Sequence, residues 1–183
     1  MKKKQWIGVV GRNGSGKSAI CSYLEKKGFG CVSLSKILRG LLQETGAICN
    51  REALIAFGTA LKAKEGASVL ARKALDSVNS DTNCVVFDSI RLPEEVLLLK
   101  NQGVFILGTK ASLESRYQRI KSRANDTDHI SFEIFKRQDE HEFLGKSSGQ
   151  HLQKCLELCD IILNNDSTLQ ELYDNLDQIL DDL

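Results

Sequence analysis

Gly8-Val9-Val10-Gly11-Arg12-Asn13-Gly14-Ser15-Gly16-Lys17-Ser18 is the stretch on which the reading of the chain turns. Residues 11–18 complete the pattern G-x-x-x-x-G-K-[ST], with Gly14 inside its variable part. Glycines at 11, 14 and 16 open backbone conformations closed to other residues, so that successive N–H groups converge on an anion. A helix that starts directly after such a loop adds the positive end of its dipole. Lys17 then reaches β- and γ-phosphates, and the Ser18 hydroxyl is placed to ligate Mg²⁺. Gly11, Arg12, Asn13, Gly14, Ser15, Gly16, Lys17 and Ser18, with Ala19 behind them, are therefore read as the binding loop for a nucleoside triphosphate, with ATP and Mg²⁺ as the expected ligands.

The flanks supply the setting that this chemistry needs. Residues 5–10 form a short apolar run, suited to a buried parallel strand. Ala19, Ile20, Tyr23 and Leu24 fall on one face of a helix that ends at Lys26-Lys27-Gly28. Further out, apolar segments at 29–34, 84–88, 103–108 and 160–164 read as four more strands separated by helical patterns. That alternation predicts an α/β fold with a mostly parallel sheet. A helical excursion, 35–80, lies between the second and third strands, with breaks expected near Thr45-Gly46, Gly58 and Gly66. A charged insertion, 110–150, separates the fourth strand from the fifth. Pro93 opens a helix with Glu94 and Glu95 in its first turn, and a last helix spans 167–180. No repeat or linker interrupts residues 1–183, which are read as one domain.

Composition agrees with a small soluble enzyme or binding module. Of the 183 residues 42% are hydrophobic and 27% charged, as in ordinary globular proteins. A net charge of +1 argues against a nucleic-acid or membrane-surface partner. The basic start Met1-Lys2-Lys3-Lys4 precedes too short an apolar run for a signal peptide, so a cytoplasmic protein is expected. Nothing in the sequence sets an oligomeric state. The six cysteines contain no C-x-x-C pair. His151, Cys155 and Cys159 have one-turn spacing, but no fourth ligand is evident, and reduced apolar cysteines are the simpler reading.

Several side chains are candidates for chemistry. Asp88 ends the third strand, where an acid beside such a loop can hold Mg²⁺; otherwise it caps a turn. Arg91, three residues on, can grip an acceptor phosphate bidentately. Arg116, Arg119 and Arg123 recur at helical spacing and form either a solvated stripe or a phosphate clamp. The polar residues 124–128 that follow suit the mobile tip of a lid. Arg39 and Arg51 lie in the excursion, where an acceptor pocket would be built. His129, His141 and His151 have no metal spacing and read as surface residues.

With these residues in view the pattern resembles the nucleotide-kinase group of P-loop proteins. More narrowly it is similar to the dephospho-CoA kinase-like and deoxynucleoside monophosphate kinase-like AAA family ATPases. The likeness rests on Gly8–Ser18, Lys27-Gly28-Phe29, Val32-Ser33-Leu34-Ser35 and Asn50-Arg51-Glu52. It continues through Phe57-Gly58-Thr59-Ala60-Leu61, Val86-Phe87-Asp88-Ser89-Ile90-Arg91, Arg116-Tyr117-Gln118-Arg119 and Ile161–Asp166. The resemblance implies a three-layer P-loop NTPase fold: five parallel strands, helices on both faces, a helical acceptor region and a lid. It implies transfer of the γ-phosphoryl group of ATP with Mg²⁺ to a nucleotide or related phosphorylated metabolite. Lys17, Asp88 and Arg119 would be catalytic; Arg116 and Arg123 would join the loop in holding ATP; Arg39, Arg51 and Arg91 would take the acceptor; Ser18 and Asp88 would hold the metal.

One departure bears on the acceptor. Dephospho-CoA kinases carry an aspartate just after the second strand, and related proteins often read Ser-Leu-Ser-Asp there. This chain has Ser33-Leu34-Ser35-Lys36. A phosphate acceptor is already ionised and needs no general base, whereas a hydroxyl gains from one. The lysine favours a phosphate acceptor over dephospho-CoA. It also leaves open a nucleotide-sensing regulatory module without turnover, and a plain nucleoside triphosphatase.

Overall fold

The computed structural model describes residues 4–79, 81–123, 130–144 and 151–183. Five strands, β1 (Gln5–Gly11), β2 (Gly30–Ser33), β3 (Cys84–Asp88), β4 (Phe105–Lys110) and β5 (Ile161–Asn164), form one sheet in the order β2-β3-β1-β4-β5. Every neighbouring pair is parallel. Alternate residues leave opposite faces of a strand, and here both faces are covered. Trp6, Val10, Val85, Phe87 and Ile106 enter one buried cluster, while Ile7, Val9, Val86 and Leu107 enter the other. That double burial is why the strands read as nearly continuous apolar runs.

Helices fill the crossovers. α1 (Lys17–Lys26) and α9 (Leu169–Asp182) cover the Ile7–Val86–Leu107 face. The other face meets α2 (Leu34–Glu44), α4 (Val69–Asp76), α5 (Pro93–Asn101) and α8 (Leu152–Glu157). α3 (Arg51–Glu65) completes the excursion between β2 and β3, and α6 (Leu113–Ser122) with α7 (Phe132–Leu144) lies between β4 and β5. This is the three-layer, five-stranded parallel architecture of a P-loop NTPase, with helices on both sides. Residues 124–128, read as a lid tip, and His129 lie outside the described residues.

Three boundaries differ from expectation. β4 starts at Phe105 and not at 103, because Gly103 at φ 77° closes α5 with its N–H on the Lys100 carbonyl. α3 runs unbroken through Gly58. There a Cβ would lie 3.3 Å from Leu38, so this glycine lets α3 approach α2 and does not break the helix. Leu34 belongs to α2, not β2.

Candidate nucleotide-binding site

β1 has β3 on one side and β4 on the other, so the crossovers diverge at its carboxyl end and leave a crevice there. The loop of residues 12–16 fills this point. Gly14 at φ 77° and Gly16 at φ 112° take left-handed conformations. Substitution is blocked by space as well: a Cβ on Gly14 would lie 2.6 Å from the Arg116 carbonyl, and one on Gly16 would lie 2.0 Å from Asn165 Nδ2. The loop is tied down from two strand ends. Thr109 Oγ1 donates to the Ser15 carbonyl at 3.0 Å, and Asn165 Nδ2 donates to the same oxygen at 2.8 Å.

Lys17 opens α1 and folds back over the loop. Its Nζ donates to the carbonyls of Gly11 (2.8 Å) and Arg12 (3.0 Å). Burial, reinforced by the positive charges of Arg91 and Arg123, lowers its pKa from 10.5 to about 8, while Asp88 pulls the other way. Lys17, Asp88, Arg91 and Arg123 thus share one electrostatic neighbourhood. A part-buried ammonium set among carbonyl oxygens fits an anionic ligand, as do the loop glycines. Ser15 Oγ is buried without a hydrogen-bond partner. Ser18 is exposed on the first turn of α1, and Ala19 packs into the core beneath that helix.

Asp88 ends β3 opposite Ser33. Ser89 Oγ donates to Asp88 Oδ2 at 3.0 Å and lies 3.3 Å from Ser35 Oγ, which is itself 3.1 Å from Ser33 Oγ. Ser89 has φ 66°, the left-handed region, without being glycine. The buried Glu95 holds the next turn, accepting the N–H groups of Arg91 (2.8 Å) and Leu92 (3.1 Å) through Oε2. Arg91 is exposed at this edge, and its carbonyl accepts the His151 N–H at 3.0 Å. Lys36 and Arg39 are exposed on α2.

The three arginines of α6 do not present one common face. Arg116 turns inward and is 2% exposed. Its guanidinium donates to both oxygens of Asp139 on α7 (2.6 and 2.7 Å) and to the Asn13 and Ala111 carbonyls. Arg116 is therefore not part of a solvated stripe: its guanidinium bonds are made within the protein. Arg119 lies between the loop and the end of β5, donating to the Asn165 carbonyl at 2.6 Å and more weakly to that of Gly14. Arg123 caps α6 and is exposed. Arg12 also pairs with Asp139 and stacks on Phe143 at 4.3 Å. Asp139 was read in sequence only as part of a charged block, and no local spacing marks it as the partner of two distant arginines. Arg51, at the start of α3, reaches Glu142 of α7 at 3.7 Å across the crevice. A cleft of about 100 Å³ opens between them, lined among others by Asn13, Gln138 and Asp139. A cleft of about 380 Å³ at the opposite end of the sheet, bordered by Lys4, Trp6, Lys100 and Asp160, contains none of these residues.

Loop, sheet and crevice together define a P-loop kinase-like protein. The chain belongs to the AAA_18 family, an AAA domain that matches residues 7–145. It is 30% identical over 168 residues to a UPF0200 protein of Methanoregula boonei, covering 90% of each chain. Its fold is similar to that of TT1252 from Thermus thermophilus (TM-score 0.63, 21% identity, 100% of this chain and 99% of that one). A shikimate kinase from Bacteroides thetaiotaomicron is similarly close in fold (TM-score 0.63, 13% identity, 97% and 98% covered). Among the described residues no helix is long and apolar enough to cross a membrane, and no cluster of three or more His, Cys, Asp or Glu suits a metal ion.

Proposed function

We propose that the protein transfers the γ-phosphoryl group of ATP to a nucleotide or related small metabolite that already carries a phosphate. The observation that carries this reading is the grouping of Lys17, Asp88 and Arg91 at the carboxyl edge of the sheet. Lys17 exchanges its two carbonyl partners for the β- and γ-phosphates and neutralises charge that develops on the transferring group. Ser18 and Asp88 would hold Mg²⁺, which would offset phosphate charge. Arg91, with Arg39 or Arg51, orients the acceptor phosphate. Arg119 and Arg123 bring positive charge from the α6 side, and Arg116 ties α6 to α7 through Asp139.

A carboxylate base is not required, since the acceptor phosphate is ionised at neutral pH. Around Asp88 the second strand and α2 contribute serine hydroxyls, and position 36 is a lysine instead of a carboxylate, which favours a phosphate acceptor over a hydroxyl one.

The test is transfer of label from [γ-³²P]ATP across nucleoside and deoxynucleoside monophosphates and dephospho-CoA, with Lys17→Ala as the blank. A labelled product with one monophosphate is the expected result. Binding of ATP without any labelled acceptor would shift the reading to a regulatory module, and acceptor-independent phosphate release to a plain triphosphatase. Arg91→Ala is expected to raise the acceptor KM at least tenfold with a smaller change in kcat. Unchanged acceptor kinetics would remove Arg91 from the site.

A further inference from the structure

Two cysteines lie on the α1 side of the sheet, one carried by α1 and the other by β2. Parallel register sets Cys31 of β2 beside Val86 of β3, so both side chains leave the same face of the sheet. Val86 and Cys21 belong to one buried cluster on that face, and α1, which carries Cys21, packs against β2. Each thiol shifts the other's pKa, as neighbouring groups do. Cys21 is buried and Cys31 is exposed, so one sulfur of the pair is open to solvent and the other stands behind it.

The remaining cysteines lack this arrangement. Cys155 is buried, and Cys159 Sγ donates to the Cys155 carbonyl at 3.3 Å. Cys84 Sγ is 4.0 Å from Gln5 Oε1. Cys49 is exposed in the turn before α3.

We propose that Cys31 and Cys21 form a thiol–disulfide exchange site that takes a low-molecular-weight disulfide, with Cys31 as the attacking and Cys21 as the resolving sulfur. Supporting this order, the two thiols push the Cys21 pKa up and the Cys31 pKa down, and Lys36 favours the Cys31 thiolate. Glu25 and Asp88 act against that thiolate, as does partial burial. In the first step the Cys31 thiolate attacks one sulfur of RS–SR. The S–S bond breaks, Cys31 carries S–SR, and RS⁻ leaves to take a proton from water. In the second step Cys21 releases its proton and attacks Cys31 Sγ, expelling the second RS⁻. The sum is RSSR plus two protein thiols giving two RSH and one Cys21–Cys31 disulfide, so the small disulfide is the oxidant.

The experiment treats the full chain with oxidised glutathione, quenches with an alkylating agent, and maps the products by intact and peptide mass. In the wild type the expected product lacks two hydrogens, carries no glutathione, and yields a peptide joined through Cys21 and Cys31. Cys21→Ala is expected to accumulate one glutathione on Cys31, and Cys31→Ser to form neither adduct nor bridge. Circular dichroism of both variants checks that they fold, and the wild-type map stands alone if Cys21→Ala does not. Stable glutathione on Cys31 of the wild type would overturn the proposal. So would a bridge that joins Cys155 to Cys159 alone, or six thiols left untouched.

Discussion

Lys17 sits where its charge is poorly matched until an anion arrives. In the unfolded chain it titrates at 10.5 and in the folded protein at about 8. Between those values the unfolded state holds the extra proton, so stability rises with pH; below about 8 the charged lysine weighs on the fold in full. Lys17→Met removes this dependence. The stability of the wild type relative to Lys17→Met, from urea melts, is expected to climb between pH 8 and 10. Phosphates favour the charged ammonium, so ATP binding at pH 8 is expected to take up protons, seen by calorimetry in buffers of different ionisation enthalpy. A flat stability difference together with no proton uptake would contradict the burial assigned to Lys17. Ser89 carries a different burden. Its left-handed backbone costs a residue with a side chain about 1 kcal/mol relative to glycine. Ser89→Gly is therefore expected to be about 1 kcal/mol more stable than Ser89→Ala, both having lost the hydroxyl that binds Asp88.

At the scale of elements, the Asp139 carboxylate ties α7 to the phosphate loop. Asp139 is 5% exposed and serves Arg12 from the loop and Arg116 from α6. Asp139→Asn keeps the shape but leaves two guanidinium groups with no counter-charge. Removing one partner of such a buried pair costs about 3–5 kcal/mol. A loss of that order in urea denaturation is expected, and a change below about 1 kcal/mol would show that the pair is no brace. The bridge from Arg51 to Glu142 differs in kind. Arg51 is 66% exposed, and an exposed pair is worth about 0–1 kcal/mol. It links α3 to α7 without securing either. Gly58 shows the same contrast between pattern and packing: sequence marks it as a break, but its missing side chain serves the approach of α3 to Leu38.

For the molecule as a whole, a ligand that binds only the folded state adds stability by mass action. ATP at a hundredfold excess over Kd contributes about 2.7 kcal/mol. For a chain of this size that is a rise of roughly 5–10 °C in Tm, expected in the wild type and absent in Lys17→Ala by scanning fluorimetry. The architecture behind this was largely legible. Strands buried on both faces leave uninterrupted apolar runs, and the loop motif identifies β1 and α1 by its own chemistry. The partners of Arg12 and Arg116 were not legible, because Asp139 is 127 and 23 residues away and meets them only through tertiary packing. Nor does spacing reveal that Asn165 and Thr109 converge on one carbonyl oxygen of the loop. The strand order has one more consequence. The α2–α4 excursion hangs from the β2–β3 side of β1 and the α6–α8 insertion from the β4–β5 side. The α2–α4 excursion can be exchanged as a cassette, cut at Ser33 and Cys84, with the central strand left whole, whereas α6 and α7 carry Arg116, Arg119 and Asp139, which hold the phosphate loop. A lineage, or an engineer, can therefore rewrite what is recognised on one flank while inheriting the other unchanged.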